Sequence, residues 1–313
     1  MSELASESST MSELTSSSSA QTGDLITTGE MAAAVDTFLA ALPPERRWDA
    51  ERSLDWAAAD ADHLTDGQRS AVEFVTVIED HLPGYFDIYH RQFPVDSSVD
   101  PAVFAHHREL YHFTVRWAAE EDTHARALAR YQRASGMRER AELRNDLADY
   151  GRRPFRLDDY THPVQFFTYA LVQEKATQIY YRQLRAEVTD PVLDDLLLKL
   201  ARDEARHFTF FADVVTRYLR VHGDAVAGPI RDVVADFRMP LSDIRGYWRW
   251  ALRIADVARY DHTDAYEHLI AVVDRAVDHR TDAVDELIRF VDSCRTVTQE
   301  TPATPAATTG GKS

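Results

Sequence analysis

Along most of the chain, apolar residues recur at alternating steps of three and four, the spacing of a helix face turned towards a core. No alternating apolar and polar run is long enough for a sheet, and glycine is scarce, so the pattern predicts an all-α fold. The first long helix starts after Thr65-Asp66-Gly67 and runs to about Phe93, where Pro94 ends it. The second opens with Asp100 as N-cap and Pro101 at its first position, and closes at Ser135-Gly136. The third begins near Pro163 and ends before Thr189. The fourth takes Asp190 as N-cap and Pro191 as first residue, and reaches His222-Gly223. A very short link between the third and fourth makes them antiparallel neighbours. Shorter helices are predicted at 229–237, 242–260, 264–278 and 282–297.

Written out, the inward seams of the four long helices carry the chemistry. They read Val72, Val75, Glu79, Leu82, Phe86; then Leu110, Thr114, Trp117, Glu121, His124, Leu128, Tyr131. The third reads Phe167, Ala170, Glu174, Thr177, Tyr181, and the fourth Leu197, Leu200, Glu204, His207, Phe211, Val214, Tyr218. Each seam has one glutamate at its middle, and two have a histidine one turn later. Four unpaired carboxylates in one dry core are prohibitively costly unless they are protonated or neutralised. Two divalent cations neutralise them, with neutral imidazoles completing the set. One Glu from each of two helices plus Glu-x-x-His from each of the other two is the arrangement of di-iron carboxylate bundles.

With 19 Glu and 13 His in 313 residues, about one Glu-x-x-His is expected by chance, and this chain has three. Glu109-x-x-His112 lies twelve residues before Glu121, about 120° around the same helix, and should face elsewhere. The competing reading of the other two motifs is buried ion pairing with Arg116, Arg126, Arg202 and Arg206, but it leaves Glu79 and Glu174 unexplained. Pro83 removes the amide that would bond the carbonyl of Glu79, which predicts a kink beside that residue.

Composition narrows the partners. A formal net charge of −17 argues against nucleic acid and anionic membrane, and no apolar stretch is long enough to span a bilayer. A single cysteine, Cys294, fits a reducing, cytoplasmic setting. Residues 1–25 are Ser-rich and repeat Met-Ser-Glu-Leu at Met1 and Met11, so either methionine is a candidate start. With acidic residues and no arginine before Arg46, the segment reads as a disordered tail rather than a transit peptide. Residues 299–313 read as a second disordered tail, leaving 26–298 as one domain.

Four segments together resemble a known family. Ile78-Glu79-Asp80-His81-Leu82-Pro83-Gly84-Tyr85, Trp117-Ala118-Ala119-Glu120-Glu121-Asp122-Thr123-His124, Gln173-Glu174-Lys175-Ala176-Thr177 and Asp203-Glu204-Ala205-Arg206-His207 are similar, in order and spacing, to the metal-binding segments of the soluble acyl-carrier-protein desaturases. The likeness runs from about Trp48 to the late helices, including Phe237-Arg238-Met239-Pro240. It departs at Asp122-Thr123, where relatives often have Asn-Arg, and in loop lengths. The resemblance implies a ferritin-like four-helix core with additional helices and two irons per chain. Glu121 and Glu204 would bridge them, Glu79 with His124 would complete one iron, and Glu174 with His207 the other. It further implies an O₂-dependent enzyme that places a cis double bond in a saturated acyl chain on acyl carrier protein. A ferredoxin-type donor and a homodimer come with it. By the same likeness Thr177 assists proton delivery at the O₂ face, and Trp117, Asp203 and Trp48 carry electrons towards His124. The plain alternatives are a threonine bonded to its own helix and a packed tryptophan.

Candidate walls for the acyl chain are Phe86, Phe113, Tyr180, Phe208 and Phe211. An acidic carrier needs a basic patch, and Arg152-Arg153-Pro154-Phe155-Arg156, or Arg245, Arg249 and Arg253, are candidates. Another di-iron oxidase, a hydroxylase or N-oxygenase, shares these ligands and differs in its pocket. A ribonucleotide reductase subunit would need a radical-forming tyrosine and a partner-binding tail, and the C-terminal tail lacks aromatics. An iron store would need only the four-helix unit.

Overall fold

The computed structural model describes residues 23–153, 160–242 and 247–299. The two expected tails, apart from residues 23–25 and 299, lie outside these, as do Arg156 and Arg245. All regular structure among the described residues is helical: α1 (Thr28–Ala41), α2 (Asp66–Asp80), α3 (Leu82–Gln92), α4 (Pro101–Ala134), α5 (Arg140–Gly151), α6 (Pro163–Glu187), α7 (Pro191–His222), α8 (Ala227–Ala235), α9 (Tyr247–Ile254), α10 (Tyr266–Ala276) and α11 (Asp282–Gln299), with short 3₁₀ turns between.

Local chemistry sets the ends of the core helices. Asp100 accepts from the amides of Ala102 and Val103 to open α4, which closes where Gly136 takes a left-handed φ of 78°. Asp190 caps α7 through the amide of Leu193, and Gly223, at φ 55°, ends it. Thr65 and Gln68 form a reciprocal capping box at the start of α2. The expected single helix from 66 to 93 is two. His81 leaves helical geometry at φ −82°, ψ 11°, because Pro83 lacks the donor the next turn requires.

That break changes which residues of α3 turn inward. Continued through His81, the α2 seam predicts Leu82 and Phe86, but both are half-buried and Phe86 packs edge-on to His90. Ile88 and Tyr89 are the buried residues instead. Two helices went unpredicted, α1 and α5. The Ala-rich α1 has a weak apolar stripe, yet Thr27 and Glu30 form a capping box and Met31, Ala34, Val35 and Phe38 are buried. It packs on α4 and α7.

Helices α2, α4, α6 and α7 enclose the centre, with α6 and α7 packed along their length across a three-residue link. On the outside, α5 and α9 lie against α2, while α8 and α10 lie against α6 and α7 respectively. The expected helix 242–260 is only α9, and the stretch after it returns to α6. Cys294 is a free thiol.

Candidate metal centre

The glutamates at the middle of the four seams, Glu79, Glu121, Glu174 and Glu204, are all buried and converge with His124 and His207. Glu79, Glu121, His124 and Glu204 offer ligand atoms within 4.8 Å of one another, and so do Glu121, Glu174, Glu204 and His207. The two sets share Glu121 and Glu204. His124 Nδ1 lies 3.7 Å from Glu79, 3.5 Å from Glu121 and 3.3 Å from Glu204. His207 Nδ1 lies 3.0 Å from Glu121, 3.5 Å from Glu174 and 3.3 Å from Glu204.

Glu121 Oε1, Glu204 Oε1 and His124 Nδ1 are buried without a hydrogen bond of good geometry, which is costly unless a cation satisfies them. The carboxylate and imidazole donors suit a first-row divalent metal such as iron. Three of the four arginines of the competing reading pair with acids other than the seam glutamates: Arg126 with Glu51, and Arg116 and Arg206 with Glu120.

Without cations the electrostatics are strained. Burial, then the Glu121 charge, pushes Glu79 up to about 7. Burial, then Glu121 and Glu174, pushes Glu204 well above the usual carboxylate range. Burial opposes ionisation of Glu121 too, but His124 and His207 outweigh it and hold its carboxyl well below that range. Burial likewise favours neutral imidazoles. The surrounding carboxylates win, and both histidines are held well above their ordinary value.

An outer ring steadies the donors, and it crosses over. Asp203, beside Glu204 on α7, lies 3.2 Å from His124 Nε2 on α4. Glu120, beside Glu121 on α4, lies 2.9 Å from His207 Nε2 on α7. Arg206 donates to both acids, at 2.7 Å to Glu120 and 3.0 Å to Asp203. Glu120 was not singled out from sequence. Its signal is the acidic residue immediately before each motif glutamate: Glu120-Glu121 and Asp203-Glu204. Phe38 of the unpredicted α1 covers this ring, packing under Arg206 and 6.1 Å from His207.

The terminal glutamates are each tied by an aromatic donor. Trp117 Nε1 donates to Glu174 Oε1 at 3.2 Å, and the Tyr181 hydroxyl donates to Glu79 Oε1. Trp117 is therefore tied to the Glu174 half of the centre. Trp48 and Asp203 stand on the other: Trp48 stacks on His124 at 6.1 Å and donates to Asp203 at 2.7 Å. Thr177, 1% exposed, donates to its own helix at Gln173 O, 3.1 Å away, and meets the Tyr260 hydroxyl at 3.0 Å. Glu109 and His112 lie off the seam, with His112 exposed beside Arg108.

A cleft lined by Tyr85, Ile88, Tyr89, Trp117, Phe166 and Tyr169 reaches Glu174. None of the five expected wall residues lines it. Phe113, Tyr180 and Phe211 are ordinary buried core, and Phe208 is half-buried under Lys175. The shift of inward positions at His81 is what brings Ile88 and Tyr89 there.

The class defined so far is an all-helical bundle with twin Glu/His sets sharing two carboxylates. Residues 36–290 match the fatty acid desaturase family model, and the chain belongs to that family. It is 31% identical over 161 residues to a Mycobacterium tuberculosis protein named as acyl-acyl-carrier-protein desaturase DesA2, covering 48% of this chain and 58% of that one. Against DesA1 of the same organism the identity is 28% over 214 residues, 66% of this chain and 60% of the relative. A chloroplastic acyl-acyl-carrier-protein desaturase 6 of Oryza sativa is 31% identical over 138 residues, 41% of this chain and 33% of its own. The matched region thus spans under two thirds of each relative. The X-ray structure of DesA2 superposes with a TM-score of 0.57 at 20% identity, over 83% of this chain and 98% of that one, and shares the fold. No helix among the described residues is long and apolar enough to cross a membrane.

Proposed function

We propose that the chain holds two irons and introduces a cis double bond into a saturated acyl chain carried on acyl carrier protein. One observation carries this reading: two Glu/His sets share Glu121 and Glu204 within a buried core, in a member of the fatty acid desaturase family. Four glutamates match the charge of two Fe²⁺, and Glu79, Glu121, His124 and Glu204 would hold one iron while Glu121, Glu174, Glu204 and His207 would hold the other. Bound there, the iron pair supplies O₂ activation and removal of hydrogen from two neighbouring methylenes.

The chain's own residues do the rest. The cleft ending at Glu174 is lined mainly by aromatic and aliphatic side chains, a lining that suits a methylene chain. Trp48, Asp203 and His124 form a continuous contact from a half-buried indole to the centre, a route for electrons from a ferredoxin-type donor. Carrier docking is supported by arginines on either side of one aromatic contact. Tyr150, under Arg153, lies 5.6 Å from Trp250, whose helix carries Arg249 and Arg253. Assembly as a homodimer belongs to the same reading.

The test is product analysis. Iron-loaded protein, O₂, a reductant and a saturated acyl-carrier-protein thioester should yield a cis-monounsaturated chain by mass spectrometry. A hydroxylated chain or an oxidised amine as main product would move the protein to another di-iron oxidase class.

A further inference from the structure

Desaturation with O₂ consumes two protons and two electrons besides the two substrate hydrogens, and yields two waters. Those protons must cross a core built to exclude water. Thr177 is the hydroxyl one turn beyond Glu174 on the same seam, but a threonine carries one proton. Here Thr177 Oγ1 lies 3.1 Å from Gln173 O, accepts from the Gln173 side-chain amide at 3.4 Å, and meets one further hydroxyl, that of Tyr260, at 3.0 Å. Between these two hydroxyls either oxygen can donate.

Tyr260 comes from outside the four-helix unit, from the stretch between α9 and the 3₁₀ turn His262–Ala265. The stretch is pinned to α6 by the Arg259 amide, which donates to Gln183 at 2.8 Å. Arg259 faces solvent while Tyr260, only 9% exposed, turns inward. Edge contacts with Phe74 at 5.5 Å and Tyr180 at 5.5 Å fix its ring. Its hydroxyl lies within electrostatic reach of Glu79, a residue of the centre.

We propose that Tyr260 is a positioning residue that supplies Thr177 with a proton, a two-hydroxyl relay from the outer helices to the metal centre. The step balances without net chemistry on either residue. As the Thr177 proton leaves towards the centre, Thr177 Oγ1 takes the proton of Tyr260, and a solvent proton restores Tyr260. The inference rests on the proposed oxidase reading, and it gives the C-terminal helices a part in the site.

The test compares Tyr260→Phe, Thr177→Val, Thr177→Ser and the double variant Tyr260→Phe/Thr177→Val. In metal-free protein, the infrared C–O band of labelled tyrosine lost in Tyr260→Phe should shift in Thr177→Val and return in Thr177→Ser. In iron-loaded, chemically reduced protein given O₂ without acyl substrate, Tyr260→Phe should keep its iron and release several-fold more hydrogen peroxide per O₂. Its solvent isotope effect should match that of Thr177→Val, and the double variant should be no worse than Thr177→Val alone. Wild-type peroxide release in Tyr260→Phe, multiplying effects in the double variant, or an unmoved tyrosine band would each overturn the relay. Loss of iron in Tyr260→Phe would overturn it too, by showing a structural role. None of these readouts needs an acyl chain, so a wild-type protein that desaturates nothing would sink the functional reading separately.

Discussion

Glu121 and Glu204 are the residues both metal sets share, so their loss should be felt at both positions. Glu121→Ala or Glu204→Ala should lose most of a content of about two irons per chain, measured by plasma emission. Glu79→Ala should empty mainly one position, and Tyr181→Phe, which frees Glu79 Oε1, should weaken that same position less. His112→Ala should leave iron and turnover near wild type, whereas His124→Ala should abolish turnover; equal losses would mean the ligand set is misassigned. The six converging side chains were legible in the sequence because a metal set on four helices must repeat the helix period. Glu120 was not, because an acid facing the partner helix looks like any surface acid until the crossing is seen. Tyr260 was hidden for a different reason: nothing in periodicity reveals which loop residue reaches a seam 83 positions away.

At the scale of elements, helix ends were legible wherever a cap or proline marks them, and α4, α6 and α7 begin where Asp100, Pro163 and Asp190 dictate. The α2–α3 break was visible as a proline, but its effect on which α3 residues face inward was not, since periodicity across a kink loses its phase. Pro83→Ala, by allowing the helix to continue, should rotate Ile88 and Tyr89 out of the cleft. Thermal stability should hold while turnover falls, and unchanged kinetics would separate the break from the cleft. The start of α4 carries His106, 2% exposed, which burial pushes down to about 4, with the neighbouring His107 charge adding to it. An unfolded histidine titrates near 6.5, so below that pH the unfolded chain takes up a proton the folded chain refuses. This contribution is whole above about pH 6.5 and is lost as pH falls towards 4, on the order of 3 kcal/mol. Urea unfolding at neutral and acidic pH should show a smaller acid loss for His106→Phe than for wild type.

For the whole molecule, a net charge of −17 sets the terms of encounter with an acidic partner. On the proposed reading the attraction is local, and the candidate patch is Arg153, stacked on Tyr150, with Arg249 and Arg253 on the helix of Trp250, which Tyr150 contacts. Arg249→Glu/Arg253→Glu should raise KM for a carrier-bound substrate several-fold, leave kcat and iron content near wild type, and lessen the rise of KM with salt. A KM unchanged in the charge-reversed protein would move docking elsewhere. The fold class was legible at this scale because helix period runs through the whole chain. The packing of Tyr150 against Trp250, about a hundred residues apart, was not, since only tertiary packing brings α5 and α9 onto α2.

The crossing of Glu120 and Asp203 also limits what can be transplanted. A designer grafting the α4 motif alone onto another bundle would import an acid with no imidazole to steady and a His124 with no acid behind it. Grafting α7 alone fails in the mirror sense. For this outer ring the smallest portable unit is the α4–α7 pair with Arg206 between its acids, so neither of these helices can be redesigned by itself.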